Sequence, residues 1–302
     1  MAGELLAMRR AAVGAPIADY ARIVDRARVN KGGKGTSAST IANTSGASSI
    51  GTAVISGGTT NTKTADWVEL IASTAFNAEI IVLTITNATF QTATLTGTLI
   101  DIAFGGAGSE VVKIPDFAIG HRQAGASYII PFAVPAGTRI SAKTQSTVVS
   151  KSVTVNIQLR QAGDHSAAPT VATSYGTQPG TNSYGQSATT AGGANAKSAW
   201  KQLTASTTGD ITRLVVGIQG DDSNMTASTG LLDIGVGAAA SEVVIVPDIY
   251  YVGEATEVVT VEGAELAYTV NVPAGSRLAF RYQATSAAAG ARPNCMVLGL
   301  GN

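Results

Sequence analysis

The chain has 302 residues, of which 45% are hydrophobic and 13% charged, and its 20 basic and 20 acidic residues give a formal net charge of zero. The length suits about two packed domains, and the single cysteine, Cys295, excludes an intrachain disulfide. No apolar run approaches the roughly 18–20 residues of a transmembrane helix, so we expect no membrane span. The low charged fraction predicts an uncharged polar surface, which is typical either of a protein in an assembly or of an ordinary β-protein.

The beginning of the chain is a basic arm. Residues 1–35 contain seven Lys or Arg and three acids, a net charge of +4, whereas the remaining residues contain 13 bases and 17 acids, a net charge of −4. A difference in the sign of the charge between the arm and the rest of the chain indicates that the arm docks on a partner surface, and it carries no information about the fold. The arm also carries acids and has few aromatic residues, so we expect it to bind an acidic protein surface and not nucleic acid.

A short helix is predicted within the arm. It begins at Pro16, and apolar side chains follow it at helical spacing, at Ile17, Tyr20, Val24 and Ala27. A helix of about 12 residues is marginal alone and needs a partner surface, either on the protein's own body or on another chain. The residues predicted to bind this partner are Arg9, Arg10, Ile17, Tyr20, Arg22, Val24, Arg26 and Arg28.

The rest of the chain contains an internal duplication. Residues 99–116 (LIDIAFGGAGSEVVKIPD) align without gaps with residues 231–248 (LLDIGVGAAASEVVIVPD), and eleven of the 18 positions are identical. Downstream, the sequence VPAGTRI at 134–140 matches VPAGSRL at 272–278. A period this long indicates a duplicated domain and not a solenoid repeat.

Each copy is rich in strand signals. Hydrophobic residues alternate with polar or small ones, as at Val153, Val155, Ile157 and Leu159, and the VPAG elements predict turns between strands. Eight short strands in one copy favour a two-sheet jelly roll over an immunoglobulin-like sandwich, which usually has seven strands. The strands predicted in the first copy lie near 50–56, 67–72, 80–86, 97–104, 109–114, 127–134, 138–144 and 152–160.

The predicted fold class is therefore all-β: two tandem antiparallel β-sandwich domains of jelly-roll type, preceded by an arm with one helix. The segment between the copies is rich in Ala, Pro, Gly, Ser and Thr and lacks periodicity, which is typical of a linker. The predicted boundaries are 1–40 for the arm, 41–160 for the first domain, 161–182 for the linker and 183–302 for the second domain.

Repeated carboxylates are the first candidates for chemistry. A pair of them beside a groove would suit glycoside hydrolysis, and an oxygen cluster would suit calcium. The alternative is that they cap turns and hold strand ends, which duplication favours because both copies would otherwise need the same site. These residues are Asp101, Glu110 and Asp116 in the first copy and Asp233, Glu242 and Asp248 in the second.

Other candidate residues are few. His121 and His165 lack metal-binding spacing, and no nucleophile-elbow motif occurs, so we expect no catalytic residue, metal or cofactor. Trp67 and Trp200 occupy equivalent positions, which favours a core role over stacking on sugars. Tyr250 and Tyr251 occur only in the second copy, in a predicted loop, and are possible ligand contacts.

The elements LxDIxxGxxxSEVVxxPD and VPAG[ST]R resemble the β-sandwich virion proteins of tailed bacteriophages, over about residues 45–302. This resemblance implies a non-enzymatic structural protein on the surface of the virion, such as a capsid decoration protein, a head fibre or a tail fibre component. It also implies that the arm binds other capsid or tail proteins and that the chain forms a homo-oligomer. The alternative that it leaves open is a carbohydrate-binding adhesin for a host-surface glycan.

Overall fold

The computed structural model describes residues 40–41, 51–88, 97–119, 126–161, 168–189, 193–220, 228–254, 257–260, 267–286 and 292–302. Within these ranges the chain forms strands and turns, and no helix there is long and apolar enough to cross a membrane. The strands are β1 (Thr40–Ile41), β2 (Thr52–Ile55), β3 (Val68–Ile71), β4 (Ala78–Ala88), β5 (Thr98–Phe104), β6 (Val111–Ile119), β7 (Ala126–Val134), β8 (Ile140–Ser146), β9 (Ser152–Arg160), β10 (Val171–Tyr175), β11 (Gln186–Ser187), β12 (Lys201–Thr204), β13 (Ile211–Gly220), β14 (Ser228–Val236), β15 (Val243–Glu254), β16 (Glu257–Thr260), β17 (Ala267–Val272), β18 (Leu278–Ala284) and β19 (Pro293–Gly301).

The first half consists of two antiparallel sheets. One has the order β1-β9-β4-β7, with β2 also paired to β9, and the other has the order β3-β8-β5-β6. The alternation in β9 puts Val153, Val155, Ile157 and Leu159 into the core, each at most 1% exposed, and leaves their neighbours partly exposed. All eight strands predicted for this half are therefore confirmed, with shifts of a few residues at their ends.

The second half repeats this arrangement. Its sheets have the orders β10-β19-β13-β17, with β11 also paired to β19, and β12-β18-β14-β15-β16. The pairing of β10 and β11 with β19 corresponds to the pairing of β1 and β2 with β9. The described residues thus confirm an all-β protein with four antiparallel sheets arranged as β-sandwiches, whereas the predicted arm helix lies outside them.

The segment predicted as a linker is in part a strand. Val171–Tyr175 forms β10 and pairs with residues 297–301 of β19. The sequence VATSY is short and mostly polar, so its strand character comes from pairing with β19 and from contact with β6, and not from its own periodicity. The second repeat therefore begins before residue 183.

The two halves share a core. Val215, Met296, Leu298 and Leu300 of the second half are fully buried and belong to the same hydrophobic cluster as the core of the first half. Alternate residues on the same strands, such as Val216 and Val297, belong to the second cluster. The sheet containing β19 is therefore covered on both faces, which explains why all nine residues of that strand are buried. Residues 38–302 form one compact unit.

The VPAG turns are held in the same way in both halves. Gly137 and Gly275 have φ angles of +77° and +81°, as the turn interpretation requires. The hydroxyl of Thr74 donates to the carbonyl oxygen of Pro135 at 2.7 Å, and Thr207 donates to that of Pro273 at 3.0 Å. Each turn therefore joins the two sheets of its own sandwich at one end.

Candidate functional site

The first repeated carboxylate, Asp101, closes an irregular point in the sheet. The register between β5 and β6 shifts beside Asp101, and the opposing residue, Asp116, has a φ angle of +44°. The Asp101 carboxylate accepts a hydrogen bond from the backbone N–H of Asp116 at 2.6 Å. The ammonium group of Lys63 contacts the carboxylates of both Asp101 and Asp116. The N–H of Asp116, which the bulge leaves without a partner in the sheet, is therefore bonded to Asp101, and the charges of the two carboxylates are paired with Lys63.

The second half contains the same cluster. Asp233 accepts a hydrogen bond from the N–H of Asp248 at 2.9 Å, and Asp248 has a φ angle of +50°. Lys197 lies 2.7 Å from Asp233 and 2.9 Å from Asp248. A further cation is present here, because the Arg281 guanidinium contacts Asp233 at 2.9 Å. In the first half, Lys143 occupies the position that corresponds to Arg281, opposite Asp101 on the neighbouring strand. Lys143 donates to the carbonyl oxygen of Ala65.

The two aspartates differ in the direction of their pKa shifts. Burial raises the pKa of Asp101 and outweighs the opposing effect of Lys63. Burial acts in the same direction on Asp233, but hydrogen bonds from Asp248, Lys197 and Arg281 hold its pKa below the usual value. Two residues that the repeat makes equivalent therefore differ in proton affinity through their local partners.

The repeated glutamates pair with the arginine that follows each VPAG turn. Arg139 contacts Glu110 at 2.8 Å and Glu69 at 2.7 Å. Arg277 contacts Glu242 at 2.6 Å and donates to the Gln202 side chain at 3.0 Å. Although burial opposes it, hydrogen bonding, including that from the arginines, lowers the pKa of both Glu110 and Glu242.

These contacts favour the structural interpretation of the repeated acids. Hydrolysis of a glycoside needs two carboxylates that flank an open groove, and calcium needs several oxygens around one point. The described acids instead hold backbone groups and cations of their own halves. No group of three or more metal-binding side chains occurs among the described residues.

The predicted core role of the tryptophans is wrong. Trp67 and Trp200 are only partly buried and belong to neither hydrophobic cluster. A cation covers each ring: the Lys143 ammonium lies 4.7 Å from the ring centre of Trp67, and the Arg281 guanidinium lies 4.6 Å from that of Trp200. The rings therefore take part in cation–π contacts beside the aspartate clusters.

The predicted loop placement of Tyr250 and Tyr251 is also wrong, because both lie within strand β15. Successive residues of a strand point to opposite faces, so Tyr250 is 44% exposed and Tyr251 is fully buried. Tyr251 packs so closely against Gly230 that a Cβ atom there would lie 2.4 Å from its hydroxyl oxygen. Tyr250 alone remains available as the predicted ligand contact.

Several predicted site residues lie outside the described residues. His121 and His165 are among them. So are all eight residues predicted for partner binding by the arm, namely Arg9, Arg10, Ile17, Tyr20, Arg22, Val24, Arg26 and Arg28. Their binding role stays a prediction.

Two grooves are present on the described surface. One, of about 720 Å³, has apolar walls that include Phe104, Val111 and Phe132. The other, of about 540 Å³, lies between the halves: Asn61 and Thr147 come from the first half, and the remaining lining residues, from Gln178 to Asn294, come from the second. Sequence reasoning missed the polar groove because it depends on contact between distant segments, although the amide-rich segment QPGTNSYGQ at 178–186 was a usable signal.

Comparison with known proteins gives no family. No protein-family model matches the chain, and no curated protein matches it. A solved structure of the protein PNGF-II aligns with 8% identity and a TM-score of 0.30, covering 82% of this chain and 61% of that one. A structure of vicilin from Capsicum annuum aligns with 10% identity and a TM-score of 0.15, covering 78% and 74%. The chain thus spans less than two thirds of the PNGF-II structure.

Proposed function

We propose that this chain is a non-enzymatic structural protein of a bacteriophage particle, anchored to the capsid or tail by its N-terminal arm. The observation that carries the proposal is the engagement of the repeated charged residues in holding the scaffold. Asp101 and Asp233 each secure a backbone bulge and a lysine, in two copies of one fold. A duplicated set of scaffold contacts is suited to a rigid displayed body.

We propose further that each half is a jelly roll. The topology supports this: β2, β9, β4 and β7 form one sheet, with the two-residue strand β1 also paired to β9, and β3, β8, β5 and β6 form the other. The second half repeats that order with β10 and β11 in the places of β1 and β2, and it adds β16 beside β15. Eight antiparallel strands divided in this way between two sheets are typical of jelly rolls, which are common in viral capsid proteins.

The single cysteine is not a candidate nucleophile. Cys295 is fully buried in β19, and burial raises the pKa of its thiol, which disfavours the reactive thiolate near neutral pH. Its position is explained by packing, because it belongs to the hydrophobic cluster of the second half.

Exposed valines support a homo-oligomer as part of this proposal. Val111 and its repeat equivalent, Val243, are 56% and 65% exposed beside the turns that join β5 to β6 and β14 to β15. If these turns contact another copy, the double variant Val111→Ser and Val243→Ser should lower the mass measured by light scattering. An unchanged mass, or a monomeric parent protein, would contradict this part of the proposal.

The anchoring proposal is tested by association with particles. Reversal of three arm charges, Arg22→Glu, Arg26→Glu and Arg28→Glu, should release the protein from particles without changing its circular dichroism. Deletion of residues 1–35 should do the same. The matched control is Arg160→Glu, since Arg160 is an exposed cation of the body. Retention of both arm variants on particles would overturn the anchoring role.

A further inference from the structure

The polar groove between the halves has an unusual set of side chains. Its described lining contains five carboxamides, two hydroxyl side chains, one tyrosine and one arginine, and no carboxylate. Its volume of about 540 Å³ is within the range of about 300–1,000 Å³ that is typical of small-ligand sites. The carboxamides are Asn61, Gln178, Asn182, Gln186 and Asn294.

The walls of this groove are held in place by contacts across the halves. Asn61 has a φ angle of +56°, donates from its amide to Thr181 O at 3.1 Å and accepts from the Ser183 hydroxyl at 2.9 Å. The Gln145 amide donates to the carbonyl oxygen of Asn182 at 3.0 Å and to the Ser183 hydroxyl oxygen at 3.1 Å. The groove is therefore pre-organised, which lowers the entropic cost of binding.

The aromatic wall is fixed in the same way. The ring of Tyr184 lies so close to Gly97 of the first half that a Cβ atom on this glycine would be 2.6 Å from the ring.

We infer that this groove binds a short oligosaccharide that contains a carboxylate-bearing sugar. Carboxamides and hydroxyls donate and accept hydrogen bonds, as sugar hydroxyls do, and the tyrosine ring offers an apolar face. Arg292 is the one charged residue in the described lining; it already has a contact within the protein, and its five N–H donors allow it to pair with a ligand carboxylate as well.

The test is calorimetric titration of the full chain with three probes: a hexuronate tetrasaccharide, a sialylated trisaccharide and a neutral cellotetraose. We expect saturable binding of at least one acidic probe, with a dissociation constant at least about tenfold lower than for cellotetraose. Absence of binding to both acidic probes would overturn the inference, and equal binding of cellotetraose would overturn its charge component.

Variants connect the binding to the groove. Arg292→Gln should weaken the acidic probe by about tenfold or more, and Gln186→Ala should weaken the acidic and neutral probes together. Arg160→Gln is the matched control, because it removes an exposed cation elsewhere on the body. Unchanged affinity in both groove variants would overturn the site. Because the groove variants retain the arm, their association with particles should be normal, which separates this inference from the anchoring proposal.

Discussion

The buried amide of Gln219, in the second half, donates to the carbonyl oxygen of Thr98, in the first half, at 2.9 Å. The same amide donates to Ile119 O at 3.1 Å, and its oxygen accepts from the N–H of Gly185 at 3.2 Å. Gln219 is 1% exposed, so these partners replace water for every strong hydrogen-bonding direction but one. The side chain of Gln219 in β13 therefore joins the second half to strands β5 and β6 of the first half through buried hydrogen bonds.

Gln219→Leu should destabilise the whole body. The substitution leaves a buried N–H and two carbonyl oxygens without this partner, so the free energy of unfolding should fall by about 1–3 kcal/mol. Urea denaturation followed by tryptophan fluorescence measures this free energy. Trp67 reports on the first half in a Trp200→Phe background, and Trp200 reports on the second half in a Trp67→Phe background. Because the core is shared, both reporters should shift together. The control Gln178→Leu, at an exposed amide, should change little; a shift of the Trp200 signal alone would contradict the coupling of the halves.

Swapping the cations that lie opposite the two aspartates, Lys143 and Arg281, should move the pKa values of Asp101 and Asp233 in opposite directions. Lys143→Arg brings a guanidinium opposite Asp101, as Arg281 lies opposite Asp233, and should lower the pKa of Asp101. Arg281→Lys should raise the pKa of Asp233, because it removes a charged hydrogen bond. Carboxyl carbon NMR titration measures both values, and Arg160→Lys is the control. No movement in either titration would show that the arginine is not the cause.

The two aspartates should also give opposite pH dependences of stability. The pKa of Asp233 is lower in the folded state, so its contribution is present above the unfolded value of about 3.9 and is lost as the pH falls. The pKa of Asp101 is raised, so its contribution is present below that value and is lost as the pH rises through the folded pKa. Asp233→Asn should make the free energy of unfolding depend less on pH in the acid range. Asp101→Asn should remove the decrease in the free energy of unfolding as the pH rises through the folded pKa of Asp101.

These two variants are each other's control in urea titrations between pH 3 and 7. At pH 7, Asp233→Asn should cost about 1–3 kcal/mol, because a buried charged hydrogen bond is weakened. Asp101→Asn should cost less, because its ionised form is disfavoured by burial. Identical pH profiles for the two variants would contradict the difference in local partners.

Removal of the hydroxyl beneath a VPAG turn should loosen that end of the sandwich. Thr207 is 3% exposed, and its oxygen also accepts the N–H of Ser276 at 3.1 Å. Thr207→Val keeps the shape of the side chain but removes its hydrogen bonds to Pro273 O and to the N–H of Ser276, which stay bonded to each other. The free energy of unfolding should therefore fall by about 0.5–1.5 kcal/mol. Thr74→Val should have a similar effect in the first half, and Thr59→Val, at an exposed position, should have none. Thermal unfolding measures all three.

The sequence alone was sufficient for the eight predicted strands of the first half and for the repeat. Alternation in β9 and the VPAG turns depend on local periodicity and on backbone angles, both of which are visible in a single chain. The equivalence of Asp101 and Asp233 was visible for the same reason. The sequence left a structural role, glycoside hydrolysis and calcium binding open for these aspartates, and the duplication favoured the structural role.

Only the tertiary structure decided which partners those residues have. Strand β10 was predicted as linker because its pairing with β19 comes from a segment more than 120 residues away. Tyr251 was predicted as exposed because the face of a strand depends on where the opposite sheet lies. The polar groove exists only where Asn61 meets the segment around Asn182. Local patterns determine strands and turns, whereas burial, proton affinity and binding surfaces depend on contacts between segments that are distant in the chain.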